Sequence, residues 1–169
     1  EDAFEVSPRQ GKGAERSSMS EREKVCALTG HRDLAGFDEN ALAYELESLV
    51  KEGYTAFLCG MAQGFDLLAL KLLAALKQKR TLYLEACIPF EGQEKSFSAE
   101  TRKLYHELLN VCDRKTVLFP SYCTGCYLAR DRYMVDCADL VLAHCEKQTG
   151  GTAYTVNYAR KRGVPVRLI

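Results

Sequence analysis

Short apolar runs alternate with longer segments of spaced leucines along the chain, from residue 24 to its end. A continuous apolar run that stops at glycine or proline is typical of a strand buried on both faces, whereas leucines three or four residues apart are typical of a helix. The pattern predicts six strands. They are VCALTG (25–30), TAFLCG (55–60), TLYLEACIPF (81–90), KTVLFP (115–120), DLVLAHC (139–145) and VPVRLI (164–169).

One helix is predicted between each strand and the next. The first is capped by Asp38, carries leucines at 42, 46 and 49, and is closed by Gly53. The others are expected at 65–79, about 98–112, 127–138 and 151–162. Strands that alternate with helices of about 10–15 residues indicate a parallel sheet. The predicted fold class is therefore α/β, a Rossmann-like three-layer sandwich with a mainly parallel sheet of about six strands and helices on both faces.

The first 18 residues, EDAFEVSPRQGKGAERSS, are polar, small and without hydrophobic periodicity. A segment of this composition buries too little apolar surface to fold by itself. We therefore expect residues 1–20 to be a disordered leader or an artificial addition. Residues 21–169 are expected to form a single domain, because this is an ordinary length for one hydrophobic core.

The charge balance and the hydropathy of the chain argue against nucleic acid and membranes as binding partners. Lys and Arg together number 23, as do Asp and Glu, so the formal net charge is zero. A surface that binds nucleic acid normally needs a basic excess, so nucleic acid is not the expected partner. No apolar run approaches the roughly 18 residues that span a bilayer, so no membrane partner is expected. The start of the chain shows no export signal, and we expect a cytoplasmic protein.

Eight cysteines are present. Without an export signal, reduced thiols are expected rather than a disulfide framework. Cys123 and Cys126 form a CxxC pair, but no second closely spaced pair of ligands follows to complete a zinc site. We predict no metal site and interpret the pair as part of a loop and a helix start.

Ligands of open parallel sheets bind beyond the carboxyl ends of the strands. Three segments at this edge, 29–33, 60–66 and 144–152, are glycine-bearing turns that lead into helices. Glycine lets backbone amides approach an anion, and the helix N-terminus behind the turn adds unpaired N–H groups. The turns therefore predict a phosphate site. Neither GxGxxG nor GxxxxGK[ST] occurs, so the usual dinucleotide or P-loop motif is not predicted.

The turn after the second strand contributes Gly60, Met61, Ala62, Gly64 and Asp66. We expect its amides to hold a phosphate or a ribose, and Asp66 to accept a hydrogen bond from a ribose hydroxyl. The alternative is structural. The glycines would shape the turn, and Asp66 would cap the next helix, which contributes about 1 kcal/mol.

The turn after the first strand contributes Thr29, Gly30, His31 and Arg32. Arg32 offers a planar fork for a phosphate, and His31 is expected to donate to a phosphate or to stack on a base. The alternative is an ion pair between Arg32 and Asp33 and a solvated His31.

The turn before the last helix contributes Gly150, Gly151 and Thr152. We expect the threonine hydroxyl and the neighbouring amides to cradle a phosphate. The alternative is a plain helix start with a threonine cap.

Further candidates lie on a helix and at a strand end. Arg130 and Met134 are four residues apart and share one helix face. Either both face the ligand groove, or Arg130 forms a surface ion pair with Asp131 while Met134 packs in the core. Pro89 and Phe90 end the third strand, where Phe90 either forms a stacking wall for a base or packs in the loop.

Leucines at positions 67, 68, 70, 72, 73 and 76 cover more than one face of the helix predicted at 65–79. The helix is therefore either buried deep in the core or partly covered by a second subunit. We expect a homo-oligomer.

The segments TGHR, CGMAQGFD, RDRYMVDCADLVLA and TGGTAYT together resemble the SLOG superfamily, which includes the DNA-processing protein DprA, the LOG phosphoribohydrolases and the YpsA-like proteins. The YpsA-like branch is the most similar, and the resemblance covers residues 24–169. It implies a Rossmann-like domain that binds a nucleotide or nucleotide-derived ligand, and a basic residue on the fourth helix that points into the groove. No other cofactor is implied.

Whether the chain is an enzyme is left open by the residues. The LOG motif places a glutamate after the second glycine loop, whereas GGTAYTVNYAR has no acid. Cleavage of an N-glycosidic bond needs a nearby carboxylate, for which Glu85, Glu91 and Asp66 are the alternatives. Binding or sensing of a nucleotide is therefore the first hypothesis. The second is an N-glycosidase of the phosphoribohydrolase type, and DprA-like binding of single-stranded DNA is the third, weakened by the neutral charge.

Overall fold

A single sheet of six strands organises the protein. The computed structural model describes residues 23–169, so the leader predicted at 1–20 lies outside the described residues. All five strand pairings are parallel, and the strand order is β4-β3-β2-β1-β5-β6. The strands are β1 (Lys24–Gly30), β2 (Tyr54–Cys59), β3 (Tyr83–Phe90), β4 (Arg114–Phe119), β5 (Leu140–His144) and β6 (Val166–Leu168).

Five α-helices cover the sheet on its two faces, which confirms the predicted three-layer α/β fold. A short 3-10 helix at Gln93–Ser96 was not predicted. The first three helices pack on one face and the last two on the other. The helices are α1 (Glu39–Lys51), α2 (Phe65–Lys77), α3 (Ala99–Val111), α4 (Cys126–Asp136) and α5 (Gly151–Lys161).

Each central strand supplies both cores, because successive side chains of a strand point to opposite faces. On β1, Cys26 and Leu28 join the larger core with α1, α2 and α3, whereas Ala27 joins the smaller core with α4 and α5. All eight cysteines lie within residues 23–169 as free thiols. In this part of the chain, no helix has the length and apolarity to cross a membrane, and no cluster of metal-binding side chains occurs.

Helix α2 is buried by its own chain. It lies between α1 and α3 and contacts β1 and β2. Leu67, Leu70 and Leu73 are in the core, which matches the deep-core alternative of the sequence analysis. Leu68, Leu72 and Leu76 are partly buried and pack against this core, and the homo-oligomer stays a prediction.

The chain order places a crevice between β1 and β5. From β1 the chain steps outward through β2 and β3 to β4, and it then returns to the other side of β1 to form β5. The connections after β1 and β5 therefore leave the sheet in opposite directions. This separation is where ligands of open α/β sheets bind.

Candidate functional site

A cavity of about 620 Å³ opens at this crevice, a volume within the range of small-molecule sites. Four segments form its walls: the end of β1 with the turn that follows it, the turn after β2, helix α4, and the loop between β5 and α5. Eleven of the predicted site residues line it. They are Thr29, Gly30, His31, Arg32, Ala62, Asp66, Arg130, Met134, Gly150, Gly151 and Thr152.

Five predicted site residues do not line the cavity: Gly60, Met61, Gly64, Pro89 and Phe90. Met61 and Pro89 are buried, and Met61 has a positive φ of 60°. A Cβ on Gly64, whose φ is 81°, would overlap the carbonyl group of Arg32. Glycine at 64 therefore lets the turns after β1 and β2 touch through their backbones.

The amides of the turn after β2 are used within the protein. The Met61 amide donates to Cys59 Sγ at 3.4 Å, and the Ala62 amide donates to Asp66 Oδ2 at 3.2 Å. Gly64 is the N-cap of α2, so the alternative in which Asp66 caps this helix is wrong. Asp66 instead fastens the turn that precedes its own helix and presents its carboxyl group to the cavity.

Arg130 occupies the floor of the cavity. Its Nη1 donates to the carbonyl oxygen of Gly60, and its Nε donates to Asp131 Oδ1 at 2.7 Å. The ion pair between Arg130 and Asp131 that one alternative predicted is therefore present, but it is buried rather than at the surface, because Arg130 is only 5% exposed and Asp131 only 9%. Met134, one turn further along α4, is 3% exposed and serves both the core and the cavity wall.

Burial raises the pKa of Asp66 to about 7, and the positive charge of Arg130 only partly offsets this effect. Asp131 adds a second negative charge nearby, which raises the pKa of Asp66 further. The floor of the cavity therefore holds one guanidinium between two carboxyl groups, of which Asp66 exchanges its proton near neutral pH. A group of this kind donates a hydrogen bond when protonated and accepts one when ionised.

His31 joins the loop after β5 to the end of β1. Its Nε2 accepts a hydrogen bond from the Glu146 amide at 2.8 Å, and its backbone carbonyl accepts one from the Phe65 amide at 3.1 Å. Its ring meets the ring of His144 edge-on at 5.3 Å. The alternative of a solvated His31 is therefore wrong. Burial, His144 and Lys147 lower the pKa of His31, which favours the neutral ring that can accept this bond.

The N-terminus of α5 opens onto the cavity. Gly150 is its N-cap, with a φ of 100°, and no side chain caps the helix within residues 23–169. Thr152 is the second residue of the helix, so the alternative of a threonine cap is wrong. The first amides of α5 and its dipole therefore face the same space as Arg32, which is exposed and forms no ion pair with a residue of the described chain.

An aromatic cluster flanks the cavity. The ring of Phe90 meets the rings of Tyr122 and Tyr127 nearly at right angles, at centroid distances of 5.5 and 5.8 Å. Only Tyr127 of the three lines the cavity. Of the two alternatives for Phe90, a stacking wall or packing in the loop, the structure agrees with packing: Phe90 does not line the cavity and contacts Tyr127, which does.

Of the three alternative acids, only Asp66 faces the cavity. Glu85 is 2% exposed and accepts hydrogen bonds from Tyr133 Oη at 2.7 Å and from Thr116 Oγ1 at 3.4 Å. Glu91 lies at the surface, 3.5 Å from the ammonium group of Lys115. Neither carboxyl group lines the cavity.

Comparison with known proteins agrees with this architecture. The sequence model of the YspA SLOG family matches residues 31–166. The chain belongs to the SLOG family. A UPF0398 protein of Halalkalibacterium halodurans is 28% identical over 154 residues, covering 82% of each chain. The SPbeta prophage-derived protein YoqJ of Bacillus subtilis is 27% identical over 137 residues, covering 73% of this SLOG chain and 80% of YoqJ.

Solved structures share the SLOG fold at lower identity. DNA processing protein A of Helicobacter pylori, described for its binding of single-stranded DNA, has a TM-score of 0.66 and 18% identity over 86% of this chain and 64% of its own. DNA processing protein A of Streptococcus pneumoniae has a TM-score of 0.65 and 18% identity, and the match covers 86% of this chain and 50% of its own. A molybdenum cofactor binding protein of Rippkaea orientalis has a TM-score of 0.56 and 23% identity, and the match covers 88% of this chain and 77% of its own. This SLOG chain thus spans about half to two thirds of the DNA processing proteins, and identities this low show the fold alone.

Several residues that line the cavity between β1 and β5 were not among the site residues predicted from the sequence. Tyr127 and Asp131 lie on the α4 face that also carries Arg130 and Met134, so the helical spacing from residue 127 to residue 134 contained the signal for them. Lys147 and Thr149 belong to a loop of irregular spacing, and no periodic pattern marks them. The other missed lining residues are Leu28, Asp33, Gly125 and Leu128.

Proposed function

We propose that this SLOG chain binds a nucleotide or a nucleotide-derived ligand in the cavity between β1 and β5, as a binding or sensing protein. The observation that carries the proposal is the convergence on one cavity of a helix N-terminus without a side-chain cap, the exposed Arg32 and the buried side chains of Asp66 and Arg130. Separate crossover turns thus supply anion-binding and sugar-binding groups to the same space.

The phosphate is assigned to the side of the cavity formed by α5. The first amides of this helix and its dipole attract an anion, and the hydroxyl of Thr152 adds a donor. Arg32, which lines the same cavity, offers a bidentate contact, and Lys147 adds a second positive charge. Together these groups favour a phosphate over an uncharged ligand.

The sugar is assigned to the floor. Asp66 lines the cavity with a pKa of about 7, so it pairs with a ribose hydroxyl either as donor or as acceptor. Arg130 is already bonded to Gly60 and Asp131, and therefore acts as the fixed charge that orients Asp66 rather than as a mobile phosphate clamp.

Isothermal titration of the purified protein with the four nucleoside monophosphates tests the proposal. At least one is expected to bind, and Arg32→Ala and Thr152→Ala are each expected to weaken that binding about 10-fold. Arg80→Ala is the matched control, because Arg80 is an exposed arginine that follows the far end of α2. The proposal is wrong if no monophosphate binds up to millimolar concentration, or if the two cavity variants bind as the wild type does.

A second candidate function is cleavage of the N-glycosidic bond of a nucleotide. It is favoured by Asp66, whose raised pKa allows the carboxyl group to donate a proton near neutral pH. Incubation with nucleoside monophosphates and detection of free base by chromatography tests it. Release of base that stops in Asp66→Asn, while nucleotide binding persists, would establish the enzyme. Binding of a nucleotide without release of free base would exclude the enzyme and support the binding function.

A further inference from the structure

The aromatic cluster of Phe90, Tyr122 and Tyr127 lies only partly within the cavity. Tyr127 lines the cavity from the first turn of α4. Tyr122 lies outside it with 65% of its surface exposed, and the two ring centroids are 6.3 Å apart. The cluster is therefore continuous from the cavity wall to the protein surface.

Both tyrosine rings are held in place by their surroundings. Phe90, at the end of β3, contacts each of them edge to face. The guanidinium carbon of Arg130 lies 5.9 Å from the ring centroid of Tyr127. Between the tyrosines, Gly125 adopts a φ of 82°, and no atom lies within 4 Å of the position of an added Cβ. An exposed ring that is fixed by a supporting ring offers a stacking surface with little loss of side-chain entropy on binding.

We propose that the ligand carries two nucleobases, of which one stacks on Tyr127 within the cavity and the other on Tyr122 at its mouth. This inference rests on the proposed nucleotide site and names the class of its ligand as a dinucleotide. The phosphates lie towards α5 and Arg32, and the bases lie along α4 and the loop before it. A long nucleic acid strand fits less well, because the net charge is zero and phosphate contacts normally require a basic excess.

The test compares one-base and two-base probes by isothermal titration. The probes are AMP, the 5′-phosphorylated adenylyl dinucleotide pApA, and diadenosine diphosphate, in which two 5′ ends are joined. At least one two-base probe is expected to bind about 10-fold more tightly than AMP, which corresponds to one additional stacked base.

Substitutions assign the two bases to the two rings. Tyr122→Ala is expected to abolish the advantage of the two-base probe and to leave the affinity for AMP unchanged. Tyr122→Phe is expected to retain the advantage, because the ring stacks and the hydroxyl does not. Tyr127→Ala is expected to weaken both probes. Tyr44→Ala is the control, since Tyr44 is a 75% exposed tyrosine on α1 that does not line the cavity, and it is expected to change neither affinity.

Fluorescence gives a second readout, because the chain has no tryptophan. The emission of Tyr122→Trp is expected to change with the two-base probe and not with AMP. If AMP binds and neither two-base probe binds more tightly, the dinucleotide inference is wrong while the nucleotide site stands. If none of the three probes and none of the other nucleoside monophosphates binds, both are wrong. If only another monophosphate binds, the same three-probe comparison made with that base decides the dinucleotide inference. If a 20-nucleotide single strand of DNA binds far more tightly than either two-base probe, the ligand is a nucleic acid and not a dinucleotide.

Discussion

Arg130 fills the space that a side chain on Gly60 would need. A Cβ on Gly60 would lie 2.6 Å from Arg130 Nη1 and 2.9 Å from Asp66 Oδ2. The sequence motif suggested that glycine lets the backbone approach a ligand here. In the structure, glycine at position 60 makes room for a buried guanidinium, which in turn bonds to the Gly60 carbonyl group.

Gly60→Ala is therefore expected to displace Arg130 and to lower the free energy of unfolding by about 1–3 kcal/mol, the usual effect of adding volume to a packed interior. Urea denaturation measures this change. Gly151→Ala is the control for stability, because an added Cβ there meets no atom within 4 Å and the position is helical. The control is expected to be neutral or to stabilise by up to about 1 kcal/mol. Equal stability of Gly60→Ala and the wild type would contradict the packing argument.

Asp66 makes stability fall as pH rises. Because burial raises its pKa from 3.8 to about 7, the folded state holds this proton more tightly than the unfolded state does. The stabilisation is fully present below about pH 4 and is lost as pH rises through 7, with a magnitude of no more than about 4 kcal/mol. In urea denaturation, the stability of Asp66→Asn relative to the wild type is expected to increase from pH 4.5 to pH 8. Parallel stability curves for the two proteins would rule out this coupling.

His31 is expected to hold the loop after β5 in place. Its folded-state pKa is lowered, so its contribution to stability is present above the unfolded pKa and is lost as pH falls. A protonated Nε2 no longer accepts the bond from the Glu146 amide, and it also faces the neighbouring His144 and Lys147. His31→Ala is expected to lower the free energy of unfolding by about 1 kcal/mol and to speed hydrogen exchange of the Glu146 amide about 10-fold.

His106→Ala is the control for this exchange experiment. His106 is a largely exposed histidine on α3, whose nearest charged partner is Glu94 at 3.8 Å. Its replacement is expected to leave the exchange of the Glu146 amide unchanged. Lowering the pH from 7 to 5 is expected to weaken protection of this amide in the wild type but not in His31→Ala, after correction for the intrinsic exchange rate. Protection that is the same in all three proteins would contradict the role of His31.

The cysteines are expected to divide into two groups by reactivity. Burial raises the pKa of Cys26 to about 12 and the pKa values of Cys59 and Cys87 well above the usual range, so few thiolates form at these positions. Iodoacetamide at pH 8 is expected to leave these three unlabelled in the native protein and to label them in urea. Cys145, which is partly exposed, is expected to react before unfolding. Peptide mass spectrometry identifies the labelled sites, and native labelling of Cys59 as fast as that of Cys145 would contradict the buried positions.

The layered fold was predictable because its signals are local. Strand β3 was expected from residue 81 and begins at Tyr83, and α2 was expected to end at residue 79 and ends at Lys77. Asp38 caps α1 as predicted, with its side chain accepting from the Ala41 amide at 3.1 Å. Runs of apolar residues and capping residues specify such boundaries within a few positions along the chain.

The arrangement of the cavity floor was less predictable because its contacts are distant in sequence. Arg130 and Gly60 are 70 residues apart, and His31 and Glu146 are 115 residues apart. No spacing rule along the chain connects such pairs, so the sequence left two alternatives for each residue: Arg130 faces the groove or lies at the surface, and His31 contacts the ligand or is solvated. The glycine turns were correctly located at one edge of the sheet, whereas the internal use of their amides depends on tertiary packing.

Gly64 contacts the backbone of Arg32 and not its side chain. The atoms that join the two turns are therefore different from the side-chain atoms available to a ligand. The turns meet through main-chain atoms, so the side chain of Arg32 is free to vary without moving either turn. Exchanges at Arg32, Lys147 and Thr152 would then change the preferred ligand while the floor stays intact. The same scaffold is thereby suited to acquire new small-molecule partners through a few outward-facing substitutions.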